Sequence, residues 1–149
     1  MATKSFTAQL KAFEELTARQ MKVVAAEAIQ DVAEAAQTPQ IGITKGATSF
    51  VEGKIPVAER DLIKSLKSRI NGGEVGEGET SYTAAIAGFE VGDRLEFEWT
   101  AAHALRMEAG FTGTDELGRE YNQAGRHFVG ANAAKFSEFV EQRVREVKK

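Results

Sequence analysis

From Phe6 to Ala35 the chain places Phe6, Leu10, Phe13, Leu16, Met21, Val24, Ala28, Val32 and Ala35 at steps of mostly three and four. That spacing gathers them on one face of a helix, and it is the clearest periodicity in the sequence. Glu14, Lys22, Glu27, Gln30 and Glu34 fall largely between them. Thr3 or Ser5 offers an N-cap, and Pro39 ends the pattern because it has no amide proton to donate. A helix over these first 38 residues would be roughly 50 Å long at 1.5 Å per residue, more than a compact domain of this size spans. It must bend or lean on a neighbour. The alanines of its second half, from Ala25 to Ala36, let that neighbour approach closely.

The chain has 149 residues, which predicts a single domain over 1–149 that folds without staples. Its hydrophobic fraction of 42% and charged fraction of 28% exclude global disorder. With no cysteine, disulfides, thiolate metal sites and cysteine nucleophiles are excluded as well. Met1 to Phe13 has no apolar core of a signal peptide, and no apolar run approaches the roughly 20 residues that span a bilayer. A soluble chain is expected. The net charge of −3 comes with scattered Lys and Arg, so tight counterion-releasing contact with DNA phosphates is not expected. Only Arg143, Arg145, Lys148 and Lys149 cluster, and they read as a solvated helix terminus, where cations suit the helix dipole.

Residues 40–55, with Gly42, Gly46 and Gly53, read as a loop. Pro56 then introduces a shorter helix at about 58–68, with Leu62, Ile63 and Leu66 inward. Arg69 to Gly73 reads as the start of a strand broken by glycines, and Glu74 to Glu79 as an exposed hairpin loop or arm. Ser81 to Phe89 suggests a strand through Tyr82, Ala84 and Ile86, followed by a turn at Val91-Gly92-Asp93. The strongest strand is Arg94 to Trp99, where Leu95, Phe97 and Trp99 alternate with Arg94, Glu96 and Glu98. That alternation requires a sheet with one buried face. Ala101 to Ala109 predicts a short helix stopped by Gly110, residues 111–125 a loop, and Arg126 to Val129 a short strand. Phe136, Phe139, Val140, Val144 and Val147 then recur at helical spacing. The sum is an α+β fold: a long N-terminal helix, a small antiparallel sheet, a flanking short helix and a C-terminal helix.

The residue types that carry chemistry do not converge in the sequence. His103 and His127 are the only side chains that ordinarily titrate near neutrality, and neither has a histidine partner at metal spacing. Glu96 and Glu98 share a strand face whose exposure explains them fully. Gly76-Glu77-Gly78 lacks the third glycine of a dinucleotide loop, and no Gly-Lys-Ser/Thr phosphate loop exists. Asp115-Glu116 does not supply the alternating oxygens of a calcium loop. Ser65, Ser68 and Ser81 lack the glycines of a nucleophile elbow. The aromatics fall on core faces rather than on a base-stacking platform. No catalytic residue, metal ligand or cofactor is expected.

Three segments carry a resemblance. Ile55-Pro56-Val57-Ala58-Glu59-Arg60-Asp61-Leu62-Ile63-Lys64-Ser65-Leu66 opens the second helix. Ala101 to Gly110 ends in Glu108-Ala109-Gly110. Gly125-Arg126-His127-Phe128-Val129 precedes the C-terminal helix. In this order they resemble the neck or tail-completion family of phage head–tail connectors, the minor tail components of siphophages and gene-transfer particles. Members share a Pro-Val leading through acid-hydroxyl-glycine to Leu and Ser, then a Glu-x-Gly, then a Pro-Phe-aliphatic. Here Ala58-Glu59-Arg60 replaces acid-hydroxyl-glycine, the usual tyrosine near Ala101 is missing, and His127 stands where proline is common.

The resemblance implies a structural virion protein assembled as a sixfold or twelvefold ring, in the tail or neck of the particle and in the host cytoplasm during assembly. It implies further copies of itself, head-completion or adaptor proteins, and tail-tube or tail-terminator proteins as partners. DNA is met only in passage, and no membrane is involved. The positions that match, Pro56, Val57, Leu62, Ser65, Glu108, Gly110, His127 and Phe128, then become candidates for an assembly interface. A tail-terminator ring capping the tail tube is the neighbouring expectation. From other classes come a small ligand-binding or hydrolytic α+β domain using His103, Glu108 and His127, and a nucleic-acid-binding regulator. The regulator would need a basic recognition helix, and none is visible.

Overall fold

The computed structural model describes residues 7–8, 11, 16–41, 51–57, 60–114, 117–118 and 120–148. Its mainstay is α1 (Ala18–Ala36), opened by a capping box: the Thr17 hydroxyl accepts from the Gln20 amide, and the Gln20 side chain accepts from the Thr17 amide. Thr17 itself is extended, with ψ 159°. The described helix is therefore about 28 Å long rather than the 50 Å that the periodicity suggests. Phe6, Leu10 and Phe13, together with both suggested caps, lie outside the described residues. Thr38 follows, its hydroxyl donating back to the Glu34 carbonyl, and β1 (Pro39–Ile41) leads away.

The expected loop at 40–55 has strands at both of its ends, since β1 pairs in parallel with β2 (Ile55–Val57); residues 42–50 lie outside the described residues. The second helix is a single turn, α2 (Asp61–Lys64), instead of 58–68. Leu62, Ile63 and Leu66 all point inward as expected, but Leu66 already belongs to β3 (Leu66–Ile70). Its neighbours decide this: β3 is the central strand of a three-stranded antiparallel sheet of order β4-β3-β5, and pairing on both edges overrides local helical spacing. The expected acidic arm is β4 (Gly73–Glu77), joined to β3 through Asn71 and Gly72 at φ 51° and 85°. Asn-Gly is the sequence that a tight two-residue hairpin demands.

Tyr82 to Gly88 is helix α3, not a strand; Tyr82, Ala85 and Ile86 are buried together, a three-and-four spacing. The turn at 91–92 stands as expected, as does β5 (Leu95–Trp99), whose alternation sets Leu95, Phe97 and Trp99 toward α1 and α3. Next come α4 (Ala104–Ala109), ended by Gly110 at φ 91°, and an antiparallel hairpin of β6 (Gly110–Thr114) and β7 (Glu120–Ala124) where a loop was expected. Arg126 to Val129 is irregular rather than a strand and leads into α5 (Gly130–Ala133) and then α6 (Phe136–Val147).

Three apolar clusters hold these elements. Val24 and Ala28 of α1, with Leu16, pack on Val140 and Val144 of α6. Ala33 meets Leu66, Tyr82 and Ile86 on the sheet side. Ile55, Leu62, Ile63 and Phe128 form the third. Each fully buried aliphatic contributes roughly 1.5–3 kcal/mol of transfer free energy. Arg143 ties α6 to α1: its guanidinium grips Asp31 through two bonds of 3.0 and 2.8 Å, and also meets Glu27 and Glu146. The Asp31 bonds raise its already high pKa further, so this cation is a clamp and not part of a solvated terminus.

Candidate functional site

The matching positions come together. Ile55, Leu62, Ile63 and Phe128 form one core, with Val57, Trp99, Ala101, Ala104, Met107 and Val129 packed around it. All three resembling segments contribute to it, although more than 60 residues separate the first from the last. Phe128 is 1% exposed, and its ring stands edge-on to Trp99, centroids 5.5 Å apart and planes at 80°. Pro56 is buried beside Ile55 and Val57 is half-buried.

The polar matching residues serve the backbone. Ser65 follows α2, its hydroxyl donating to the Leu62 carbonyl at 2.7 Å, while its own carbonyl accepts from the amide and hydroxyl of Thr100. Glu108 holds two amides, Val129 N at 3.0 Å and Gly130 N at 2.9 Å, one on each carboxylate oxygen. These are charge-assisted bonds, stronger than neutral ones. They stitch the Glu-x-Gly segment to the Phe-aliphatic segment. Backbone bonds run alongside: Arg126 N to the Met107 carbonyl at 2.8 Å and His127 N to the Glu108 carbonyl at 3.1 Å. The strands approach so closely at Gly125 that a Cβ there would land on the Glu108 carbonyl and the backbone of Ala109 and Gly110. Only glycine fits.

Two departures from the family pattern acquire physical content. His127 has φ 48° and donates its amide to Glu108. Proline can do neither, because its ring fixes φ near −65° and its nitrogen carries no proton. Arg60 stands at the usual glycine and adopts φ 66°, the left-handed backbone that glycine takes without cost. Its guanidinium reaches Glu79 at 2.6 Å. Ala58 and Glu59 lie outside the described residues.

Sequence reasoning missed the residues that close the site. Gln37, 6% exposed, spends its amide on three partners: it donates to the Ile63 and Glu79 carbonyls and accepts from the Trp99 indole at 2.8 Å. Asn132 donates from Nδ2 to the Gly53 and Phe128 carbonyls, both at 2.7 Å. Gly53 N in turn donates to the Arg126 carbonyl at 2.7 Å. Arg126 is 2% exposed, and burial lowers its pKa from the ordinary arginine value. Neither Gln37 nor Asn132 announces itself in sequence, because each partner lies far along the chain.

The hydrolytic expectation required His103, Glu108 and His127 to converge as side chains. Glu108 and His127 do meet, but through the His127 amide, and both carboxylate oxygens already face amides. Both imidazoles belong to exposed residues. Glu98 and Glu96 instead pair with Arg69 at 2.6 Å and Arg94 at 2.9 Å across the sheet. Among the described residues no group of three histidines or carboxylates is placed to hold a metal ion, and no helix is long and apolar enough to cross a membrane. Comparison with protein-family models, curated proteins and solved structures finds no match to this chain.

Proposed function

We propose that the chain is a structural subunit of a phage head–tail connector, a neck or tail-completion protein whose copies form a ring between capsid and tail with a channel for DNA. The observation that carries this reading is the convergence of the three resembling segments on the Phe128 core, in the order the resemblance requires. Segments that matched by accident would have no reason to share one core. The use of Glu108 supports the same reading, since both of its oxygens hold chain segments together. An overall charge of −3 suits a lumen past which DNA slides without sticking. The partners are further copies of the chain, a head-completion or adaptor protein on one side, and a tail-tube or terminator protein on the other.

Assembly without the protein tests the proposal. DNA-filled heads and finished tails should accumulate unjoined, and adding the purified chain should join them. Particles that join normally in its absence would refute the proposal, and overlong tails would assign the chain to the tail terminator instead.

A further inference from the structure

Beside α1 the packing leaves an apolar groove of about 380 Å³, lined by Ile29, Val32, Leu95, Phe97, Ala133 and Phe136. A second depression of about 260 Å³ continues it past Ile29 and Leu95 to Met21 and the turn at Glu90–Asp93. Phe136, which the helical spacing turns inward, instead stands 41% exposed at the groove. The groove's apolar wall thus ends in carboxylates. The Glu90 side chain is 74% exposed even though Lys22 meets it at 2.9 Å. Asp93 is held below the usual carboxylate range by the Glu90 amide and the Asn71 side chain, so it remains an anion well into mild acid.

A second apolar feature belongs to a different element. α4 commits Ala104 and Met107 to the Phe128 core, while Leu105 stands 75% exposed. Next to it in the helix is Arg106, and His103 precedes the helix on the exposed side. Leu105 does not line the groove of its own chain. The two features are therefore a projection and a recess on separate surfaces, the projection flanked by basic residues and the recess by acidic ones. Surfaces of that kind mate head to tail, each copy offering its projection to the next, and such contacts close into rings when the rotation between copies allows.

We propose that Leu105 of one copy seats in the α1–β5 groove of the next, with Arg106 toward Glu90 and Asp93. This rests on the reading of the chain as a ring subunit and specifies the contact that builds the ring. The occupant is a second copy because this chain carries both halves of the match, in shape and in charge sign.

The test places a photoreactive benzoylphenylalanine at Leu105 of the full chain and irradiates it over a rising concentration series and in reconstituted particles. Intermolecular crosslinks to α1 around 29–32, to β5 or to Phe136 are expected. Leu105→Asp and Phe136→Asp should each raise the concentration needed for self-association by roughly tenfold or more, as loss of a central apolar anchor does. Arg106→Glu should weaken association, and Glu90→Arg in the same chain should restore it. The circular dichroism spectrum of each variant confirms its fold, and the crosslinking arm does not depend on any of these variants. Rings that form but crosslink elsewhere, to residues 1–15 of the same chain or to a different protein would overturn this contact and leave the ring reading standing. A chain that never self-associates and forms no ring at the particle junction would overturn both.

Discussion

The α1–α6 layer and the Phe128 core are built by different physics. In the layer, Val24, Ala28, Val140 and Val144 repeat at helical steps, and any apolar side chain of similar size in the same register would serve. Around Phe128 the contacts are single: one glutamate for two amides, one glutamine for three partners, one glycine where two backbones nearly touch. The layer is therefore forgiving and the motif core is not. This difference explains how a structural subunit can resemble a family at a handful of positions while the rest of its sequence drifts.

The largest expected effect sharpens that contrast. Phe128→Ala should destabilise the fold by about 3–5 kcal/mol, against about 1–2 kcal/mol for Val24→Ala in the layer, read from paired urea unfolding curves. Equal losses would erase the distinction. Next is Gly125→Ala, which should lose roughly 3 kcal/mol because a Cβ has no room, while Gly130→Ala should stay within about 1 kcal/mol of the parent. At Gly130 the added atom would sit 3.5 Å from the Glu108 carboxylate, an ordinary contact. Thermal unfolding of the two variants side by side decides this one.

A smaller effect concerns Glu108. Glu108→Gln keeps the shape but loses the charge and one acceptor, and should cost about 1–2 kcal/mol. In the layer, Arg143→Lys gives up the two-pronged grip on Asp31 for a point charge and should cost about 1 kcal/mol or less. Loss of self-association in Glu108→Gln before any loss of stability would show that the carboxylate acts in assembly directly. The smallest effect is one of pH. The folded pKa of Asp93 lies below the ordinary value, so its contribution is present above the unfolded carboxylate pKa and disappears as pH falls through the folded one. An acid titration of Asp93→Asn should lack that part of the stability loss.

Legibility followed the same division. β5 and α6 could be read because each repeats its own period, and the α4 stop could be read because Gly110 takes a positive φ. The fold class came with them. Tyr82, Ala84 and Ile86 suggested a strand, yet Tyr82 and Ile86 are also four apart, and Ala85 between them decided for a helix. Period two and period four share their endpoints, so a short segment cannot separate them. Asn71-Gly72 was a readable hairpin signal, and the acidic strand after it was obscured by its glycines. In the candidate site the inward positions of Leu62 and Phe128 were legible. Gln37, Asn132 and Gly125 were not, because their roles depend on partners brought near only by the finished fold.

Electron cryomicroscopy of particles restored with the purified chain bears most directly on the proposal. A closed ring of this fold between portal and tail, with Phe128 enclosed in every copy and α4 of each set against α1 of the next, is the predicted image. A junction with no such density, with the chain left free in solution as a monomer, would contradict the account.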